Sequence, residues 1–478
     1  MRIRDSIDTH THSDLGAFLP AQHAAVAAAA VQQGVTLEVC GNCGFSPFPF
    51  LPGHRDDVQR QVGVLFRNVP IEWDGFAGYR EAVERAGVYA NLAPLVGHGS
   101  LRAGVIGLND RPPAGDELRT MIRLAEEVLE QGVIGISSGL VYVPGSYART
   151  EELIAICRAL HRFGRTYATH MRGETDMVAD SVREAIRIGR EADVPVHISH
   201  HKAAGKANWG RTEETLTLID AAVREGIDVT LDAYPYTAAS TLLYGLLPPW
   251  AQDGGIPAMV GRLQDASTRD RIAGDMSGGL QGWENLSRAA GWEGVVIANC
   301  PGRPNIEGKT LAWLAAEAKQ DPADFLFDLL IDQGGNVMMI LHLMDESDVE
   351  RVLAHPRTMI GSDGIPLPGK PHPRLAGTFS RVLGRYARER HLFDLSSAIH
   401  KMTSLPAARF GLRDRGAIAL GKAADLVVFD PETVIDRATF EDPLLPPDGV
   451  RSVFVNGRLV VENGRLTGEK PGIFVAPR

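Results

Sequence analysis

A chain of 478 residues with 44% hydrophobic and 23% charged content can build one large domain and a smaller one. Its net charge of −10 argues against a nucleic-acid binder, whose footprint would be basic, and no apolar run is long enough to span a membrane as a helix. Four cysteines do not make a disulfide framework, and the N-terminus has no signal-peptide pattern, so a reducing, cytoplasmic location is expected.

The first informative stretch is Ile7-Asp8-Thr9-His10-Thr11-His12-Ser13-Asp14. Residues i and i+2 of a strand share a face, so His10 and His12 can present two imidazoles to one ion. Alone the pair is weak evidence: among 15 histidines a chance match is ordinary, and a turn with two solvated histidines is the plain alternative. An alanine-rich helix over 21–33 follows, then a strand over 35–40 that enters the turn-forming Gly41-Asn42-Cys43-Gly44. A strand over 89–96 ends before Gly97-His98-Gly99. Helix 115–131, with apolar Leu118, Ile122, Ala125 and Leu129, precedes strand 133–137.

The alternation continues. Helices over 151–163, 177–191 and 213–225 lead to strands over 166–170, 196–200 and 228–232. A Gly/Pro-rich stretch, about 241–335, carries two or three helices and reads as an insertion, with Leu242, Leu243 and Met259 as its packing residues. Strand 337–341, helix 346–354 and strand 358–360 then reach Gly361-Ser362-Asp363-Gly364. Beyond helix 395–402, short strands are expected at 416–418, 424–430 and 450–458, with Asn456-Gly457 as a hairpin turn.

Strand–helix alternation implies a parallel sheet with helices outside it. The expected fold is α/β, a (β/α)8 TIM-like barrel over 1–414, with the insertion before the last strand. Residues 415–478 form a small C-terminal β domain, an incomplete β-sandwich. A doubly wound open sheet is the alternative, but no GxGxxG follows an early strand.

The chemically capable residues follow strand ends: His10, His12, Cys43, His98, His170, His200, Asp232 and Asp363. In a barrel these ends form one rim, and closure brings the last strand beside the first, so Asp363 meets His10 and His12. A His/Cys/Asp set favours Zn2+ over Mg2+ or Ca2+, which prefer all-oxygen shells. Zinc, water and a carboxylate suit amide hydrolysis. Competing readings are a redox or zinc-ribbon role for Cys40-x-x-Cys43, although a ribbon needs a second pair that Cys157 and Cys300 do not make. His98 has the alternatives of pocket wall and satisfied structural histidine, and Asp232 those of supporting partner and simple strand cap. By strand parity His197 points away from His200, between barrel and helix.

The segments IDTHTHSD, GNCGFSP, SSGLVYVPGSYA, YATHMRGE, VHISHHK, ANWGR, DAYPYTAAS, IGSDG, PHPR and HKMTSLPAARFGL occur in one order from Ile7 to Leu412. As a set they resemble the D-aminoacylase (N-acyl-D-amino-acid deacylase) family of the metal-dependent amidohydrolase superfamily. The resemblance implies a tightly bound zinc on Cys43, His170 and His200, and a second, weaker metal position flanked by His10, His12 and Asp363. It implies Asp363 as general base and then acid, and Lys202, Tyr234, Ser240 and Arg374 as contacts of the substrate carboxylate and amide. A fixed guanidinium suits a carboxylate, which fits Arg374. The implied substrate is an N-acyl-D-amino acid. Rivals are another amide (a D-dipeptide, an N-acyl-D-glutamate or aspartate, a cyclic amide) and a catalytically silent metal-binding homologue.

The chain departs from that family in one respect. Several short strands normally precede the HxH strand and complete the sandwich; here only residues 1–6 do. The expectation is a C-terminal sheet with an unpaired edge and an uncovered apolar face, met by a chain start placed inside the ancestral one, by a partner or homo-oligomer over that face, or by a reduced small domain, the first being favoured.

Overall fold

The computed structural model describes residues 2–4, 6–63, 65, 66 and 68–477. Two short strands open the chain, β1 (Arg2–Arg4) and β2 (Ser6–Asp8). Then follow β3 (Val35–Cys40), β4 (Asn91–Pro94), β5 (Val96–Gly97), β6 (Gly135–Gly139), β7 (Thr166–His170), β8 (Val196–Ile198) and β9 (Val229–Ala233). β2, β3 and β4 pair in parallel, as do β5, β6, β7, β8 and β9 in turn. β4 and β5 are one barrel position broken at Leu95, the first pairing with β3 and the second with β6.

After β9 the chain leaves the ring and builds a separate antiparallel sheet from β10 (Ala238–Leu242), β11 (Val295–Asn299) and β12 (Met338–His342), in the order β10-β12-β11. The strand expected at 337–341 therefore forms, but as the centre of this sheet and not as a barrel strand. Val337, Met339 and Leu341 pack with Leu243, Leu263, Leu326 and Leu330 in a core of the insertion, while Met338 and Ile340 join the main core. Six helices surround that sheet, from Pro249–Gln252 to Pro322–Asp332, where two or three were expected. They are short and separated by glycine and proline, which blurs their period. Helices Arg55–Val62, Gly75–Ala86 and His98–Ile106 also lacked a reading from sequence.

β13 (Thr358–Ile360) returns beside β9 and closes the ring as its eighth position. Closure is carried by Thr9 N donating to Ile360 O (3.3 Å), Asp363 N to His10 O (2.8 Å) and His12 N to Gly364 O (2.9 Å). Inside, Ile7, Leu37, Val39, Leu95, Ile134 and Ala168 form one buried cluster, plugged by Phe410 and Leu412. Val196, Ile198, Val229 and Leu231 face outward onto helix residues such as Leu160, Val182 and Ile219. The helices between β6 and β9 are those the periodicity predicts, for example Thr150–Phe163, which starts on Glu151 and Glu152 and stops at left-handed Gly164.

The C-terminal strands β14 (Leu426–Phe429), β15 (Val450–Val455), β16 (Arg458–Glu462) and β17 (Arg465–Leu466) form an antiparallel sheet in sequence order, and β1 adds to the β14 edge. Residues 416–418 are turn and not strand. Val427, Val453, Val455 and Val461 are buried together with Ala28, Ala30 and Val31 of helix Ala24–Gln32. That corrects the expectation of an uncovered face: small alanines let the helix lie close over the sheet, and no second copy is needed to cover it. Among the described residues no helix is long and apolar enough to cross a membrane.

Candidate metal centre and active site

Six side chains from five rim segments converge. One donor atom from each of His10, His12, Cys43 and Asp363 lies within 4.8 Å of the others, and the same holds for Cys43, His170 and His200. Cys43 belongs to both groups. Its Sγ is 3.3 Å from His10 Nε2, 3.7 Å from His170 Nδ1 and 3.5 Å from His200 Nε2. Ligands on a tetrahedral zinc, with bonds of about 2.0–2.3 Å, stand roughly 3.5 Å apart, so this spacing needs little rearrangement to accept the ion. The sequence assigns Cys43 to His170 and His200 alone; the structure places its sulfur beside His10 as well, between the two groups.

Three of these donors sit on unusual backbone. Cys43, His200 and Asp363 have φ of 52°, 35° and 50°, left-handed values that non-glycine residues avoid. The Cys43 turn is possible because a Cβ on Gly41 (φ 74°) would lie 2.1 Å from Leu95 O, and one on Gly139 equally close to Cys43 O. β8 ends at Ile198, so His200 no longer obeys strand alternation. This overturns the parity reading of His197. It lies inside the ring, with Nε2 2.6 Å from Asp232 Oδ2, while the kink swings His200 onto the rim.

Behind the donors stand two buried carboxylates. Asp232 accepts from the His200 amide (2.6 Å), from Thr9 Oγ1 (3.3 Å) and from His197, and lies 3.7 Å from His10 Nδ1. Glu174 Oε1 takes His200 Nδ1 (2.9 Å) and Lys202 Nζ (2.6 Å). With the carboxylate as acceptor the Nδ1 proton is favoured and the Nε2 lone pair is left for the ion, although Lys202 Nζ also stands 2.7 Å from Nδ1. Burial alone would raise both acids. Lys202 and His200 overcome it at Glu174, and His197 and His10 at Asp232, so both are held below the usual carboxylate range. The sequence leaves Asp232 open between two roles and shows Glu174 only within a motif; the signal for Glu174 is its place four residues after His170.

Burial lowers His12, His170 and His200, keeping them as the neutral imidazoles that bind metals. It raises the Cys43 thiol, with Asp363 and Glu174 adding to the effect, so a thiolate here requires a compensating cation among the donors. The donor chemistry therefore fits zinc.

Asp363 faces the donors with one oxygen and Arg374 with the other. Oδ1 is 3.2 Å from His12 Nε2 and 3.5 Å from His10 Nε2, and Oδ2 is 2.8 Å from Arg374 Nη2. Burial works against its charge, but Arg374 first and His10 next hold it well below the usual range. Arg374 lies over the Tyr234 ring at 4.6 Å, and Lys202 over the same ring at 5.6 Å. Arg374 Nη1 and Tyr234 Oη are buried without a hydrogen-bond partner. Ser240 differs. Its hydroxyl donates to Met339 O within the insertion sheet, and its carbonyl, not its side chain, meets Arg374 Nη2 at 3.2 Å.

Tyr142 forms a wall, its ring 5.0 Å from that of His170 and its hydroxyl 2.9 Å from Thr241 Oγ1 of the insertion. His98 is a structural histidine, its Nε2 bound to Glu152 at 2.8 Å in a buried network with Arg102, while its Nδ1 is buried without a partner.

Residues 7–461 match the family model described as "Amidohydrolase family". The chain belongs to that family. The amidohydrolase is 41% identical over 470 residues to D-aminoacylase of Alcaligenes xylosoxydans xylosoxydans, covering 98% of this chain and 86% of the relative. It is also similar to a solved D-aminoacylase studied for its binuclear metal center (TM-score 0.81, 40% identity, 100% of this chain and 89% of that one). A second solved relative is N-acyl-D-glutamate deacylase from Bordetella Bronchiseptica, complexed with zinc and a phosphonate inhibitor (TM-score 0.81, 33% identity, 99% and 89%).

Proposed function

We propose that this amidohydrolase cleaves the amide bond of N-acyl-D-amino acids, adding water to give a carboxylate and a free D-amino acid. The observation that carries this is the pairing of Asp363 with Arg374. A proton-accepting carboxylate and a buried guanidinium with one uncommitted nitrogen stand 2.8 Å apart, beside the metal-ligand cluster. A general base and a receptor for an α-carboxylate, placed side by side, suit an amide whose leaving amine carries that carboxylate.

His10, His12, Cys43, His170, His200 and Asp363 are the residues that would hold zinc, with Cys43, His170 and His200 as the tighter set and the remainder, sharing Cys43, as the weaker. Zinc in such a site supplies Lewis acidity toward a carbonyl oxygen and toward water. Asp363, kept ionised by Arg374, accepts the proton of the attacking water and passes it to the amine nitrogen as the C–N bond breaks. Arg374 Nη1 binds the substrate carboxylate, with Tyr234 Oη and Lys202 closing the same side. Ser240 contributes through its backbone, by holding Arg374. The insertion, through Thr241 and the Ser240 carbonyl, forms the roof of the site.

All four cysteines are free and buried, which suits a reducing compartment such as the cytoplasm. The test is a panel of N-acetyl-D- and N-acetyl-L-amino acids, with D-aspartate, D-glutamate and D-dipeptide substrates included, assayed for free amine. Turnover of D-substrates that Asp363→Asn abolishes supports the reading. Activity confined to L-substrates or cyclic amides, or none with zinc bound, refutes it.

A further inference from the structure

The insertion reaches the metal centre at a second place, away from Arg374. The connection between helices Ala266–Gly278 and Leu286–Gly294 runs as a strap over the loop that follows β7. Its glycines Gly279 and Gly282 have φ of 81° and 78°, and a Cβ on Gly282 would touch nothing, so conformation and not crowding selects glycine there. The strap borders an open cleft lined by Thr175, Asp176, Lys206, Trp283 and Arg288.

The inner end of the strap is a carboxyl group. Glu284 is 2% exposed, and its Oε1 accepts from the backbone amide of Glu174 at 2.5 Å. The next amide, that of Thr175, also faces it. Glu174 uses its own carboxylate to receive His200 Nδ1 and Lys202 Nζ, and Ala204 N donates back to Glu174 O at 2.7 Å. A chain of contacts therefore runs from strap to Glu174 backbone, to Glu174 carboxylate, to the imidazole that faces Cys43 at 3.5 Å.

We propose that Glu284 is a positioning residue of the metal centre: it fixes the loop bearing Glu174, and through Glu174 it sets His200 and Lys202, so that strap and metal site stabilise one another. The proposal rests on the reading of His200 as a ligand. Burial first, with Glu174 second, pushes Glu284 up out of the usual carboxylate range. Neutral Glu284 presents a carbonyl oxygen to the amides, and glutamine presents the same group.

The test compares Glu284→Ala, Glu284→Asp and Glu284→Gln. Zinc affinity is read by chelator competition, and backbone amide exchange is followed by mass spectrometry in the zinc-free protein. Alanine removes the acceptor and aspartate withdraws it by one methylene. Both are expected to weaken zinc about tenfold, the lower end for groups that orient ligands from behind, and to speed exchange at residues 173–176. Glutamine is expected to stay within about twofold of the native protein in both measurements, on the same ground. Alanine and aspartate variants that fold and match the native protein in both would overturn the proposal. A second measurement needs no variant: because coupling is reciprocal, loading the native protein with zinc must slow exchange in the strap, residues 280–285, as well as in 173–176. Protection of 173–176 alone overturns the proposal. Failure of the native chain to bind zinc at all would instead overturn the ligand reading on which it depends.

Discussion

Asp232 gives the sharpest mutational test of how the rim is held. Asp232→Ala removes the acceptor of the His200 amide at 2.6 Å and the partner of His197 at 2.6 Å, both fully buried. Removing one member of a buried, charge-assisted network costs about 3–5 kcal/mol of stability. Zinc affinity should fall for a separate reason. The hydrogen bond to Asp232 is what keeps His200 at φ 35°. Without it His200 relaxes to an ordinary conformation when zinc is absent, and binding must impose the left-handed one again. That costs about 1–2 kcal/mol, which corresponds to roughly 5- to 30-fold weaker zinc. Chelator competition measures the second quantity, and thermal unfolding of the zinc-free protein reports the first. Asp232→Asn keeps an acceptor for the amide and should recover most of the affinity. An alanine variant that folds and binds zinc within twofold of the native protein would refute the view that Asp232 holds the His200 kink.

Three further outcomes are expected. Arg374→Lys keeps a charge but loses the planar fork that meets Asp363, the Ser240 carbonyl and a substrate carboxylate together. kcat/KM on an N-acetyl-D-amino acid should fall about 10- to 100-fold, with most of the loss in KM, and an unchanged KM would contradict the assignment. Cobalt in place of zinc should give a sulfur-to-metal charge-transfer band that Cys43→Ser abolishes and Cys40→Ser does not, since Cys40 faces the outer core. Glu38, with partial contact to solvent, is pushed up by burial from 4.5 to about 7. The folded state therefore binds this proton more tightly than the unfolded chain, and its contribution is lost as pH rises from 4.5 through 7. Glu38→Gln should be more stable than the native protein at pH 8, by about 1–3 kcal/mol, and should gain nothing at pH 4; equal unfolding curves at pH 8 would rule this out.

The alternation of strands and helices, and with it the ring, is legible in the residue pattern. β7 and β13 fall where the residue pattern places them: β7 is built of strand-favouring Thr and Tyr after the Gly164-Arg165 turn, and β13 lies between Arg357 and Gly361. The pattern also shows that the chemistry lies at strand ends, since a parallel barrel presents all those ends on one rim. The insertion was less legible: its helices are brief, and the strand Met338–His342 carries the same local signal whether it joins the ring or a separate sheet. Folding alone places Cys43 between both donor groups, turns the Ser240 hydroxyl away and sets Asp232 and Glu174 behind the histidines. The physical reason is the left-handed backbone at Cys43, His200 and Asp363. Strand parity predicts direction only while the strand lasts, and at these residues it has ended, so where each side chain points depends on hydrogen bonds to residues as distant in sequence as Asp232 is from Thr9.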